Sequence, residues 1–172
     1  DCNVSTASSN SIQVLIPLDS RALFPVFAIF SKRGILVTIE TEGSHFLETD
    51  YPIDLISLSP KFSNSVPQLG YKTPGGKDVD ERMIKQHNKF RLNFEAIKKT
   101  LEYHKDYHFK PVWDGTEENL DEIEEFRRGL NIPKNKTYIM PAGDTREELI
   151  KMYPLVFEMC AEKGYNMTGR DH

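Results

Sequence analysis

The sequence predicts an α/β fold with parallel strand pairing. Two observations carry that reading: short, β-branched apolar runs alternate with stretches of helical periodicity, and each helical stretch is long enough to connect neighbouring parallel strands. A third, the length of 172 residues, limits the count to five or six strands. A closed eight-stranded barrel needs about 250 residues. An open sheet or a partial barrel remains.

Ile12–Ile16 reads as the first strand, bounded by Pro17. A helix follows, capped by Asp19 or Ser20, with Leu23, Val26, Phe27 and Phe30 on its apolar face and Gly34 as its stop. Ile35–Ile39 is β-branched and nearly unbroken, as a strand buried on both faces should be. Asp54–Ser59 is the next strand and ends at Pro60. From Phe62 to about Arg82 the chain turns polar, with Pro67, Pro74, Gly75 and Gly76, and reads as a long loop or insertion. Asn93–Tyr103 is helical, with Phe94, Ile97 and Leu101 on one side, and Phe109–Trp113 is a short strand.

Thr116 starts a helix whose first turns carry Glu117, Glu118, Asp121 and Glu122 and whose last turn carries Arg127 and Arg128, an order that suits the helix dipole. Lys136–Met140 is a strand. Thr145 and Glu148 form a capping box for a helix ending near Gly164, which Pro154 should kink. Tyr165–Thr168 starts a last strand.

Composition narrows the function. The 38% hydrophobic and 28% charged fractions are those of a globular domain. A net charge of −4 offers no basic surface for nucleic acid. Two cysteines, Cys2 and Cys160, make neither a disulfide framework nor a closed zinc site. No apolar run reaches the length of a membrane span, and the opening residues lack the basic start of a secretory signal, so a cytoplasmic location is expected.

Ligands of parallel α/β sheets collect at the carboxyl ends of the strands, which singles out four places. Glu40 and Glu42 follow the most apolar strand, where a carboxylate can accept hydrogen bonds from ribose hydroxyls. The plain alternative is a loop acid beside the turn residue Gly43. Ser59-Pro60-Lys61 sets a hydroxyl and a cation at the next mouth, against the reading of a proline-terminated strand with an exposed lysine. Asp114-Gly115 and Met140–Gly143 are the other two. His104 and His108, four apart, have the spacing of a metal pair but read as surface histidines. Pro74–Lys77 resembles a phosphate loop only in composition, and the acidic run Glu117–Glu125 reads as a solvated helix face. His172, with Arg170 close by, has the donors for an anionic substrate, although it is the last residue. Three Asn-x-Ser/Thr matches, at Asn3, Asn135 and Asn166, read as chance.

Four segments together resemble one family, the 7-carboxy-7-deazaguanine synthases, radical S-adenosylmethionine enzymes of queuosine biosynthesis. They are Gly34–Gly43 (GILVTIETEG), Asp54–Lys61 (DLISLSPK), Tyr138–Leu149 (YIMPAGDTREEL) and Cys160–His172 (CAEKGYNMTGRDH), and they cover about residues 31 to 172. The resemblance implies a partial, open, parallel (β/α) barrel of the radical S-adenosylmethionine type over 31–172, incomplete at its amino terminus, with residues 1–30 divergent or non-native and a loop insertion at about 62–90. It implies a 4Fe–4S cluster that reductively cleaves S-adenosylmethionine, with Mg²⁺ assisting conversion of 6-carboxy-5,6,7,8-tetrahydropterin to 7-carboxy-7-deazaguanine, a carbon–nitrogen lyase activity. By the same similarity Glu40, Ser59, Lys61 and the backbone of Met140, Pro141 and Gly143 line the S-adenosylmethionine site, and His172 touches the pterin.

The sequence departs from the family pattern in three places. The C-x3-C-x2-C loop that holds three irons of such a cluster is absent. The segment after the first strand, Val14–Ser20, lacks the glycines that receive the methionine amine, and the threonine ligand for Mg²⁺ is missing too. The expectation is therefore a carboxyl-terminal portion of such an enzyme, inactive as written, or else a non-catalytic adenosyl-binding α/β module. An unrelated sugar-phosphate enzyme, using Gly143-Asp144-Thr145 at a helix start, is a third reading that Asp144 disfavours by charge. An exposed parallel edge also leads to the expectation of a homodimer or of aggregation.

Overall fold

The structure, a computed structural model, describes residues 4–8, 11–15, 24–46, 48–51, 53–73, 75–104 and 106–169. Its elements follow in the order β1 (Val4–Ser8), β2 (Ser11–Leu15), α1 (Phe24–Lys32), β3 (Leu36–Thr41), β4 (Leu55–Leu58), α2 (Glu81–Phe90), α3 (Phe94–Tyr103), β5 (Tyr107–Phe109), β6 (Val112–Trp113), α4 (Glu117–Gly129), β7 (Tyr138–Pro141), α5 (Arg146–Lys163) and β8 (Asn166–Met167). β2, β3, β4 and β5 pair in parallel and in sequence order, with β1 antiparallel along the outer side of β2. β6, β7 and β8 form a second parallel set. The edge of β2 that was expected to be open is thus occupied by β1.

The two sets share one run of chain. β5 and β6 are halves of a strand interrupted at Lys110-Pro111, where proline supplies no N–H. The Lys110 N–H still donates to the Leu58 carbonyl at 2.7 Å, continuing the ladder with β4, and the Pro111 carbonyl accepts from the Met140 N–H at 2.9 Å, opening the ladder with β7. A parallel bridge between Phe109 and Thr137 lies at the same turn-over. Strands β2 to β8 therefore run in one direction, and their carboxyl ends share one edge. That edge positions everything described below.

The core explains why these segments are strands and helices. Val37, Ile39, Ile56, Leu58, Phe109 and Ile139 are fully buried in the sheet, and Ile97, Ile123 and Val156 come down on it from α3, α4 and α5. Each such burial is worth about 1.5–3 kcal/mol relative to exposure. Local signals agree. Thr116 caps α4, the Thr145–Glu148 capping box opens α5, and Gly164 closes α5 in the left-handed conformation. α5 continues from Arg146 to Lys163 with Pro154 inside it. No helix among the described residues is long and apolar enough to cross a membrane.

The polar stretch after β4 holds more structure than its composition announces. A short 3-10 turn spans Ser63–Ser65, a bridge joins Lys72 to Asp78, and α2 is a ten-residue helix capped by Asp80, whose carboxylate accepts from the Met83 N–H at 2.7 Å. Its apolar content is only Met83, Ile84 and Phe90, and none of its residues is fully buried. Met83, Ile84 and Phe90 do recur at helical spacing, so it was the polar composition of the segment that hid the helix.

Two readings are corrected. His104 and His108 are not surface histidines: His104 is buried at the end of α3 edge-on to Tyr103, and His108 lies half-buried in β5 with its ring 4.3 Å from that of Tyr138. Burial pulls His108 below the ordinary histidine range, with Asp106 opposing and Lys110 and Lys136 adding to the shift. The acidic run of α4 is likewise not uniformly solvated. Glu124 pairs with Arg127 and Arg128 at 3.0 Å each, and Glu122 reaches across to another element.

Candidate functional site at the strand mouths

Glu40 sits near the end of β3, opposite Ser57 of β4 in parallel register. Its Oε1 accepts from the buried Ser57 hydroxyl at 3.2 Å and from the Lys110 ammonium at 3.1 Å. Lys110 follows β5, so this contact spans the width of β4. Both donors converge on one oxygen. Among the described residues no donor meets Oε2, and the Glu40 side chain remains 30% exposed. A carboxylate held this way has a fixed plane, a neutralised charge and one acceptor edge open, which suits a hydroxyl-bearing ligand.

The turn after β3 is shaped by Gly43. Its φ is +78°, and a Cβ there would stand 2.5 Å from Ile97 Cγ1 and 2.8 Å from Leu58 Cδ1. Only glycine lets α3 pack this closely on the turn. At the mouth of β4 the Ser59 N–H donates to the Thr41 carbonyl at 2.8 Å, tying this loop to β3, and Pro60 is buried. The Lys61 carbonyl accepts from Arg91 Nη1 at 3.2 Å, and no carboxylate among the described residues pairs with the Lys61 ammonium.

At the mouth of β7 the Met140 and Ala142 N–H groups are used by the sheet, donating to Pro111 and Trp113 at 2.9 Å each. The Met140 side chain and Pro141 are buried, which leaves backbone as the surface they offer. Gly143 has a packing role as well: a Cβ on it would lie 3.1 Å from the Leu149 nitrogen in the first turn of α5.

The end of α2 and the turn into α3 meet the loops at two of these mouths. The Phe90 ring stacks on His45 with centroids 6.2 Å apart, Asn93 donates to the Ser44 carbonyl at 3.0 Å, and Arg91 reaches Lys61. His87, one turn before Arg91, has a buried Nδ1 with no partner among the described residues. Burial lowers its pKa first, then the charges of Arg91 and Lys61, while Glu42 opposes them. Those four side chains therefore share one neighbourhood.

Strand topology thus brings Glu40, Ser59, Lys61 and Met140–Gly143 to one edge of the sheet. His172 lies outside the described residues. Cys160 points elsewhere, buried in α5 against the Asn166 carbonyl at 3.4 Å, and burial pushes its thiol up to about 11. A single buried thiol turned onto a backbone carbonyl does not fit as an iron–sulfur ligand, since such clusters are held by cysteines gathered as a set. Among the described residues no three His, Cys, Asp or Glu side chains gather as a metal site.

No family model matches the chain. A 7-carboxy-7-deazaguanine synthase from Rhodopirellula baltica is 32% identical over 154 residues, 90% of this chain and 56% of that protein. The chain is a homologue of the 7-carboxy-7-deazaguanine synthases. A second such synthase, from Halobacterium salinarum, is 29% identical over 81% of the chain and 53% of its own length. The chain spans about half the length of the curated relatives it matches. The crystal structure of QueE from Escherichia coli aligns over 87% of this chain and 51% of that one, with 16% identity and a TM-score of 0.45.

Sequence reasoning missed Ser57, Lys110, His87, Arg91 and Glu122. Lys110 was hidden because the sequence reading put it inside the strand Phe109–Trp113, whereas the structure ends β5 at Phe109 and so sets Lys110 at a strand mouth. Arg91 and Glu122 lie on helices far apart in sequence, and only the fold shows that they meet.

Proposed function

We propose that this chain supplies the S-adenosylmethionine-binding part of a 7-carboxy-7-deazaguanine synthase-like protein, on a partial (β/α) barrel whose strand mouths receive the cofactor. The observation that carries the reading is the Glu40–Ser57–Lys110 arrangement, a charge-compensated carboxylate with one open acceptor edge at the ligand end of a parallel sheet. The family resemblance implies S-adenosylmethionine as the ligand, and the similarity to two 7-carboxy-7-deazaguanine synthases supports that resemblance. In this reading Glu40 accepts from the ribose hydroxyls, Ser59 and Lys61 take the polar, anionic end, and the backbone of Met140, Pro141 and Gly143 flanks the adenine. The substrate of the whole protein is then a carboxytetrahydropterin.

S-adenosylmethionine supplies radical chemistry only with an iron–sulfur cluster, and Cys160, a single thiol buried against the Asn166 carbonyl, does not fit as a ligand for one. What the chain's own residues do is bind and orient. A second reading, an adenosyl-binding module without catalysis, draws its support from that same misfit. Equilibrium dialysis with S-adenosylmethionine tests the shared claim. Saturable one-to-one binding that weakens about tenfold in Glu40→Gln supports it. Failure of the unaltered chain to bind refutes it.

A further inference from the structure

The loop carrying Ser59 and Lys61 is held by two residues that lie outside the candidate site. Arg91, at the junction of α2 and α3, donates through Nη1 to the Lys61 carbonyl at 3.2 Å and to Glu122 Oε1 at 3.2 Å. Its Nε donates to Asn88 Oδ1 at 3.0 Å, so the guanidinium is also oriented from its own helix. Glu122, on α4, accepts the Ser63 N–H on both oxygens at 3.2 and 3.0 Å and the Ser63 hydroxyl at 2.5 Å. One ion pair therefore fixes the carbonyl of residue 61 and the amide of residue 63 from two helices at once. Asn64 adds a further anchor, donating to the Val112 carbonyl at 3.0 Å and to Asn119 at 3.1 Å.

The arrangement is expensive for a merely structural contact. The Arg91 and Glu122 side chains are only 19% and 25% exposed. Desolvating such a pair offsets much of its Coulomb attraction, so its net contribution to stability is small. What it fixes is position. With its carbonyl held, Lys61 has a defined backbone from which to project, and no carboxylate among the described residues claims its ammonium.

We propose that Arg91 and Glu122 are positioning residues that set the Lys61 backbone so that its ammonium meets the anionic end of the bound ligand. The inference rests on the adenosyl reading above. Neither residue touches the ligand, and both act through residues 61–63. The consequence is selectivity: the clamp favours an adenosyl ligand that carries an amino-acid carboxylate over the bare nucleoside.

The test measures dissociation constants for S-adenosylhomocysteine and for adenosine, using the unaltered chain, Arg91→Ala, Lys61→Ala and the double variant. Arg91→Ala is expected to weaken S-adenosylhomocysteine about tenfold, the scale of one charge-assisted hydrogen bond. Adenosine should change less than about twofold. In the Lys61→Ala background Arg91→Ala should add no further loss, because the clamp then has nothing to aim. Equal losses on both ligands, or losses that multiply in the double variant, overturn the inference and leave the adenosyl reading standing. An unaltered chain that binds neither ligand overturns both. Should Arg91→Ala fail to fold, Glu122→Gln carries the comparison: selective loss on S-adenosylhomocysteine supports the clamp, and an unchanged ratio of the two constants overturns it.

Discussion

Replacing Gly43 with alanine should destabilise the chain by about 2–5 kcal/mol, the sum of two separable costs. The first is conformational. At φ +78° an L-residue is left-handed, which costs about 1–2 kcal/mol. The second is steric. The new methyl would stand 2.5 Å from Ile97 Cγ1 and 2.8 Å from Leu58 Cδ1, and both partners are fully buried. Overpacking of that kind costs about 1–3 kcal/mol. Gly34→Ala isolates the first cost, since Gly34 has φ +70° and a Cβ there meets nothing within 4 Å. Urea denaturation followed by far-UV circular dichroism reads both. The midpoint should fall with an unchanged slope, and Gly43→Ala should lose at least about 1 kcal/mol more than Gly34→Ala. Equal losses would show that α3 does not pack on the turn, and the placement of Glu40 and Glu42 at the mouth of β3 would lose its support.

Lys110→Met should change stability by less than about 1 kcal/mol, since its ion pair is partly exposed, yet weaken adenosine binding several-fold by freeing the Glu40 carboxylate. Calorimetric titration that finds adenosine affinity unaltered would contradict that role. His87 and His108 both titrate below the ordinary histidine range, chiefly through burial. The unfolded chain therefore takes up protons near pH 6.5 before the folded chain does, so their contribution, full above about pH 7, is lost as pH falls through 6.5 toward the folded values. Urea midpoints should drop between pH 7.5 and 5.5, and His108→Gln should flatten that drop; an unaltered slope in the variant would count against it. Cys160, its thiol pushed up to about 11, should react with Ellman's reagent in a Cys2→Ser background at least ~100-fold more slowly folded than in urea. Comparable rates would show the thiol to be open.

The legibility of this chain follows the physics of each signal. Leu36–Thr41 and Leu55–Leu58 were readable as short, β-branched or aliphatic runs between turn residues, but only β4 is buried on both faces. In β3 Val37 and Ile39 are buried while Leu36 is exposed, so the expectation of two buried faces for that strand is corrected. α5 was readable because its capping box and its closing glycine are local chemistry. α2 was not, because Met83, Ile84 and Phe90, although they recur at helical spacing, are few among charged residues and follow a Pro- and Gly-containing stretch, so the segment reads as polar loop. β1 was not, because Val4–Ser8 is mostly small and polar. The candidate site divides in the same way. Parallel strands put ligands at their carboxyl ends, so Glu40, Ser59, Lys61 and Met140–Gly143 could be named from position alone. The second layer could not. Glu122 looked like one more solvated acid until the fold brought Ser63 and Arg91 to it, and the acceptor geometry of Glu40 depends on a lysine 70 residues away.

The most direct test of the central claim is an amide-resolved titration of the isotopically labelled chain with S-adenosylhomocysteine. The account predicts that amides of Glu40–Gly43, of Ser59 and Lys61, and of Met140, Ala142 and Gly143 shift together along one saturation curve. Shifts confined to the opposite edge, near Lys134 and Lys163 where the Lys134 ammonium meets the end of α5, would contradict it, and so would a spectrum that the ligand leaves unmoved.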